Sequence, residues 1–293
     1  MRSEKEILDA VVNWASEEKD VRAVIITSSR ANPNALRDIF TDYDIEFAVT
    51  DIGKYLSHDS WLYNFGEPIE IIKEDEQAFN GEFAMRMVIY ADYIKIDFRI
   101  HTVVKFHEQI LKKQLPDDWD IGCKVLIDKD SMTADLKKPT FNAFTIAPPS
   151  EEEFSATVKN FWWDTTYVAK SLWRDELFYA KYIFENIIRF NYLKKIIEWR
   201  IGSRSNEKIT TNKYGRLFKK YLTPDEWESI EATFAGSNIS ENWDALFAAM
   251  NVFRNFSKDI ASKMNFNYRD KLDEEITFYI QKIRDLEKDA KEI

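Results

Sequence analysis

The stretch TSSRANPNALRDIFTDYDIEF, residues 27–47, decides the fold. It is polar and loop-like, yet short apolar runs bracket it. Before it stands VRAVIIT (21–27), β-branched and short, which predicts a buried strand. After it, YDIEFAVTD (43–51) alternates Ile45, Phe47 and Val49 and predicts a second strand. The period of two then places Asp42 and Asp44 on one face, where side-by-side carboxylates repel unless a cation lies between them. Magnesium suits such a pair, because it takes hard oxygen ligands and shares them with substrate phosphates.

Working outward, SEKEILDAVVNWA predicts an amphipathic first helix, with Ser3 and Glu6 as a capping box. WLYNFGEPIEIIK (61–73) predicts a turn and then a strand. AMRMVIYADYIKIDFRIH (84–101) predicts two strands joined near Asp92 and Tyr93. In the second of these, Ile94, Ile96, Phe98 and Ile100 share one face, and Lys95, Asp97 and Arg99 the other. Asp97 completes a candidate set of three carboxylates for metal-assisted phosphoryl transfer, one of which would act as base on an attacking hydroxyl. Ser29 and Arg30 directly follow a strand, where a turn can offer backbone N–H groups, a hydroxyl and a guanidinium to phosphate. A helix is expected over 103–114 and a last short strand over 124–130.

Three prolines between residues 139 and 149, followed by the Ser150/Glu153 capping pair, predict a linker. Beyond it the pattern is helical at roughly 151–175, 176–202, 213–221, 224–234, 240–264 and 269–290. The expected fold is α+β: an N-terminal domain (1–138) with a mixed β-sheet flanked by helices, then a C-terminal α-helical bundle (150–293). In NFWWDTTYVAKSLWRDE (160–176), Trp163, Tyr167 and Lys170 fall on one side of a helix, and Phe161, Asp164, Val168 and Leu172 on another. Most such aromatics serve a core. Trp162, Trp163 and Asp164 are nevertheless candidates for an acidic, aromatic wall lining the cleft between domains, suited to a cationic ligand.

Composition narrows the function classes. The net charge of −10 disfavours a non-specific nucleic-acid binder and suits a cationic small substrate, although it also simply favours solubility. Residues 1–150 carry −9 of it. Residues 189–220 hold ten Lys/Arg against two Glu, a run that more often marks a solvated helix face than a phosphate wall. The single Cys123 excludes an internal disulfide and multi-cysteine zinc sites. The three histidines, His58, His101 and His107, lack metal-ligand spacing and are expected to be solvated or locally hydrogen-bonded. No run approaches the roughly 18–20 apolar residues of a membrane span, and the start lacks a signal-peptide core. A cytoplasmic protein, monomeric or weakly dimeric, without nucleic-acid or membrane partners, is the simplest expectation.

The layout of strand, Ser-Arg turn, Asp-x-Asp and a later strand Asp resembles the polymerase-β-type nucleotidyltransferases. MRSEKEI, SRANPNALRDIFTDYDI, DSWLYNFGE, KIDFRI, VLIDKDS, TTYVAKSL and YLTPDEWE, in this order, resemble the aminoglycoside 6-adenylyltransferase (streptomycin adenylyltransferase) family along nearly the whole chain. The resemblance implies magnesium-dependent transfer of AMP from ATP to a hydroxyl of an aminoglycoside such as streptomycin, releasing pyrophosphate and giving antibiotic resistance. It implies that Asp42 and Asp44 hold metal and triphosphate, that Asp97 is the third carboxylate and general base, that Ser28, Ser29 and Arg30 form the phosphate turn, and that Lys170 reaches the triphosphate. Two positions depart from the pattern. Ser28 stands where the family has glycine, and Asn160 where it has the glutamate of Glu-Phe-Trp. Asp164, one turn further on, is a candidate replacement for that glutamate. Two alternatives stay open: a catalytically impaired nucleotide-binding relative, and a nucleotidyltransferase with a different small-molecule acceptor.

Overall fold

The apolar patterns of residues 43–49 and 95–102 build the centre of a mixed sheet, with residues 21–27 in the strand beside them. The computed structural model describes residues 2–205 and 209–292. It divides into two compact units, Met1–Ala143 and Phe144–Ile293.

In the first unit, helix α1 (Glu4–Glu17) leads into strand β1 (Val21–Thr27), a four-residue helix α2 (Ser28–Ala31) and strand β2 (Tyr43–Val49). Helix α3 (Ile52–Ser57), a 3-10 helix (Ser60–Phe65), β3 (Pro68–Glu74), β4 (Ala84–Tyr90) and β5 (Lys95–Thr102) follow. Helices α4 (Val103–Leu111) and α5 (Asp117–Ile121) and strand β6 (Cys123–Asp128) complete it. Among the described residues the sheet has six strands in the order β3-β4-β5-β2-β1-β6. The β2–β5 pair is parallel and the other neighbouring pairs are antiparallel.

Alternation sorts the strand residues onto two faces. Val24 and Ile26, Tyr43, Ile45 and Phe47, and Ile96, Phe98 and Ile100 pack with Ile7, Val11 and Ala15 of α1 and with Trp61 and Phe65 of the 3-10 helix. Trp14, Phe47, Trp61, Phe65 and Phe98 form a continuous aromatic cluster there, with centroids 5.0–6.2 Å apart. The expected capping box fixes the start of α1, with Ser3 and Glu6 exchanging both bonds. The opposite face holds a smaller core of Ala23, Ile25, Ala48, Phe106, Ile110 and Trp119 under α4 and α5. It also carries Asp44, Glu46, Asp97, Arg99 and His101. The first face buries the larger apolar set of this unit, and at ~25 cal/mol per Å² it gives the larger share of its burial energy. The second face is left to polar chemistry.

The second unit is helical. Helices α6 (Glu151–Trp173), α7 (Leu177–Lys181), α8 (Lys194–Gly202), α9 (Phe218–Tyr221), α10 (Pro224–Glu231), α11 (Ile239–Met264) and α12 (Asp270–Asp285) pack around one core. The helix expected over 176–202 is interrupted by π-helical turns at Tyr182–Leu193. Phe161 of α6 stacks on Phe253 of α11 with centroids 3.6 Å apart and planes 4° from parallel. Ser150 caps α6 by accepting from the Glu153 amide, without the reciprocal half of the predicted box. Pro224 sits at the first turn of α10 behind a Thr223–Glu226 box.

Among the described residues, five of the ten cations in the basic run at 189–220 pair with acidic groups inside this unit. Arg189 pairs with Glu185, Lys194 with Glu198, Lys195 with Glu153, and Arg200 and Arg204 with Glu226. Lys208 of that run lies outside the described residues. No helix among the described residues is long and apolar enough to cross a membrane.

Candidate active site

Asp44 and Asp97 are register partners across the parallel β2–β5 pair, so both carboxylates leave the same face of the sheet. Burial, followed by the negative charge of Asp97, pushes the Asp44 carboxyl up to about 6. Asp97 Oδ1 is buried without a hydrogen-bond partner. Asp42 stands just before β2 and is more open to solvent. Lys95, at the start of β5, joins the two ends of this set: its Nζ lies 3.1 Å from Asp42 Oδ2 and 2.9 Å from Asp97 Oδ2. Burial works against the charged ammonium, but the bonds to Asp97 and Asp42 outweigh it and raise the Lys95 value. The three predicted carboxylates thus share one neighbourhood, and a lysine stands among them.

The residues suit a hard cation in kind. All are carboxylates, one oxygen is buried and unpaired, and two negative charges face each other on adjacent strands. As they stand, no three His, Cys, Asp or Glu side chains among the described residues converge closely enough to hold a metal ion. The Lys95 ammonium stands between Asp42 and Asp97.

Below the aspartates, sequence reading missed a buried network. Glu46 continues the Asp42–Asp44 face of β2. It accepts from His101 Nε2 at 2.8 Å, Trp119 Nε1 at 2.9 Å, Thr27 Oγ1 at 3.2 Å and Arg99 Nη1 at 3.3 Å. Burial alone would raise its carboxyl, yet His101, Arg99 and Trp119 hold it below the ordinary value. Arg99 also bonds Asp118 at 2.7 Å. His101 is therefore buried with a long-range partner, neither solvated nor locally hydrogen-bonded as its sequence context suggested. The signal for Glu46 was available: the alternation that aligns Asp42 with Asp44 aligns Glu46 too.

The phosphate turn differs from expectation in two respects. Arg30 does not present a free fork. Its side chain is 8% exposed, stacks on the Tyr43 ring at 3.6 Å, and donates to Glu4, to Asp42 O and to Thr41 O. It ties residues 31–41 to the head of β2, so its donors are committed to the protein. Ser28 spends its amide on Gly122 O at 2.9 Å. The Ser29 hydroxyl and the amides that follow it remain as candidate phosphate donors in this stretch.

Ser28 also explains the glycine expected there. Its φ is +59°, in the left-handed region that costs a residue with a Cβ roughly 1–2 kcal/mol. A second close approach was not foreseen. A Cβ on Gly122 would lie 2.7–2.8 Å from backbone atoms of Ser28, Ala31 and Asn32, so the α5–β6 junction is threaded against α2.

In the second unit, α6 brings together the predicted stripe. Trp163 Nε1 donates to Tyr167 Oη at 3.2 Å, and Lys170 Nζ lies 4.7 Å from the Tyr167 ring centre. Trp163 is 63% exposed. Asp164 accepts from Tyr192 Oη at 2.6 Å, and Asn160 is exposed on the same helix. Trp162 is a correction. It is fully buried, it packs edge-on to Phe161 and Phe253, and its Nε1 donates to Tyr268 Oη. Tyr268 and Arg254 both bond Asp273, so Trp162 belongs to a core network and not to an acceptor wall.

A mixed sheet brings Asp42, Asp44 and Asp97 together beside a strand-to-helix turn, and the chain that carries them is, by its family and relatives, a nucleotidyltransferase. A family model described as streptomycin adenylyltransferase matches residues 1–283, and the chain belongs to that family. It is 31% identical to the aminoglycoside 6-adenylyltransferase of Bacillus subtilis (strain 168) over 97% of this chain and 98% of that protein. The proteins of that name from Campylobacter jejuni and Staphylococcus aureus are also 31% identical. They align over 96% and 92% of this chain and 95% and 94% of their own lengths.

Proposed function

We propose that this chain transfers AMP from ATP to a hydroxyl of a cationic aminoglycoside of the streptomycin type, releasing pyrophosphate. The observation that carries the reading is the Asp44–Asp97 pair with Asp42 beside it, in a chain that aligns end to end with aminoglycoside 6-adenylyltransferases. Asp42, Asp44 and Asp97 are the residues that would hold magnesium. When bound, the ion neutralises negative charge on the phosphates and orients them.

The remaining chemistry belongs to side chains. Asp97 is assigned to accept the proton of the acceptor hydroxyl, a role supported by its unpaired carboxylate oxygen. The hydroxyl oxygen forms a bond to the α-phosphorus as the bond to pyrophosphate breaks, and the proton passes to the carboxylate. The Ser29 hydroxyl and neighbouring amides are assigned to the phosphates, with Ser28 shaping the turn. Lys170 is assigned to the triphosphate. Trp163 and Asp164 are assigned to the cationic acceptor, through the ring face and the carboxylate.

Pyrophosphate release is the test. Incubation with magnesium, ATP and streptomycin should release pyrophosphate, and Asp97→Asn should abolish the release. Tight ATP binding with no release for any aminoglycoside would sink the reading. The exposed Asn160, where the family carries glutamate, favours a second reading in which the acceptor is a less cationic hydroxylated molecule. Release with such an acceptor, and none with streptomycin, would select it.

A further inference from the structure

We propose that Lys95 is a resident cation of the carboxylate site, displaced when metal and nucleotide bind together, so that metal binding depends on nucleotide. The inference rests on the proposed function of the same site.

Lys95 Nζ is hydrogen-bonded to one oxygen each of Asp42 and Asp97, and so occupies the place between them. It does so from the edge of the turn between β4 and β5. Lys95 is the first residue of β5, Ile89 is its register partner, and its side chain is about a third exposed. Arg99, the next cation inward on that face, is committed to Glu46 and Asp118. Lys95 therefore supplies the direct counter-charge to Asp42 and Asp97, while Arg99 is the cation that acts on Asp44. An ammonium on a flexible four-carbon stem, with rotatable donors, can leave such a place without disturbing the strand.

A divalent cation held by Asp42 and Asp97 would compete with the Lys95 ammonium for the same oxygens. A free metal ion must displace Lys95 into water, with no new partner for it. A metal ion arriving with a triphosphate brings the anionic partner that the displaced ammonium needs. Metal and nucleotide are then coupled through one side chain, and the coupling is reciprocal.

The test uses Mn²⁺ as the probe, read by electron paramagnetic resonance on the full chain, with and without a non-hydrolysable ATP analogue. Without nucleotide, Lys95→Met and Lys95→Gln should each bind Mn²⁺ about tenfold more tightly than the parent, and Lys95→Arg should not. With the analogue, the advantage should vanish, so the factor by which nucleotide tightens Mn²⁺ should shrink about tenfold in both neutral variants. Unchanged or weaker Mn²⁺ binding in both variants, with the aspartate variants still losing it, would overturn the Lys95 inference alone. If Asp42→Asn and Asp97→Asn leave Mn²⁺ binding untouched even with the analogue, the site assignment fails and this inference with it.

Discussion

Asp44 and Asp97 lie directly opposite each other on the neighbouring parallel strands β2 and β5, and their charges act on one another. Burial first, and then the Asp97 charge, pushes the Asp44 carboxyl up to about 6, above the ordinary 3.8. A raised acid pKa means that the folded state binds the proton more tightly than the unfolded chain. The stabilisation is thus complete below about pH 4 and is lost as pH rises through 6. Asp44→Asn should therefore stabilise the fold at pH 7.5 by about 1–2 kcal/mol, after allowing for solvent screening, and by nothing measurable at pH 3.5. Urea unfolding at the two pH values checks this. Affinity for Mg-ATP should show the opposite trend, falling as pH drops below 6 and the carboxylate is protonated. A pH-independent nucleotide affinity between 5 and 8 would contradict the assignment.

The turn after β1 makes two opposed predictions. Ser28→Gly relieves a positive φ and should raise stability by roughly 1 kcal/mol, seen as a Tm increase, with nucleotide affinity kept or improved. Gly122→Ala places a Cβ under 3 Å from three backbone atoms of the same turn. It should lower stability by about 1–3 kcal/mol, and it should weaken ATP binding because the α2 backbone must shift. Calorimetry on the two variants separates strain within the turn from crowding behind it. Equal ATP affinity in both would show that this backbone does not face phosphate.

Glu46 offers a test of the network beneath the site. Its carboxylate is 1% exposed, and donors from β1, β5 and α5 converge on it. Replacing it with alanine takes the acceptor from the Trp119 indole and His101 Nε2 and leaves the part-buried Arg99 guanidinium paired with Asp118 alone. The cost should be about 3–5 kcal/mol, the scale for breaking a buried ion pair by removing one partner. Glu46→Gln should recover only part of this, because its amide turns one acceptor into a donor facing other donors. Chemical denaturation of both variants gives the comparison. A loss under about 1 kcal/mol for Glu46→Ala would show that water satisfies the donors left behind.

Most of this architecture was legible because it rests on short-range periodicity. The alternation of Ile45, Phe47 and Val49 gave β2, and that of Ile96, Phe98 and Ile100 gave β5 with Asp97 on the other face. The same rule put Lys95 beside Asp97. It could not show that β5 lies parallel to β2, which is what brings Lys95 within reach of Asp42, 53 residues away in sequence. Gly122 was invisible for the same reason, since its constraint comes from a turn about 90 residues earlier. Arg30 looked like a phosphate ligand because nothing local reveals that Glu4, Tyr43 and two carbonyls already surround it. The short helices α2, α3 and α5 carry too few residues for a helical period to emerge.

Trp162 and Trp163 turn that lesson into an experiment. Adjacent residues on a helix point roughly 100° apart, so one of two neighbouring indoles faces the core and the other faces outward. Trp162 is fully buried among Phe161, Phe253 and Tyr268. Trp162→Ala should cost about 3–5 kcal/mol through the cavity it leaves, whatever the substrate. Trp163 is largely exposed and holds only the Tyr167 hydroxyl. Trp163→Ala should change stability by no more than about 0.5 kcal/mol. If Trp163 lies under the acceptor, the same change should raise KM for streptomycin several-fold while KM for ATP stays constant. Steady-state kinetics with each substrate varied in turn measures both. An unchanged streptomycin KM would remove Trp163 from the acceptor site and leave Asp164 as the α6 candidate for recognising the cation.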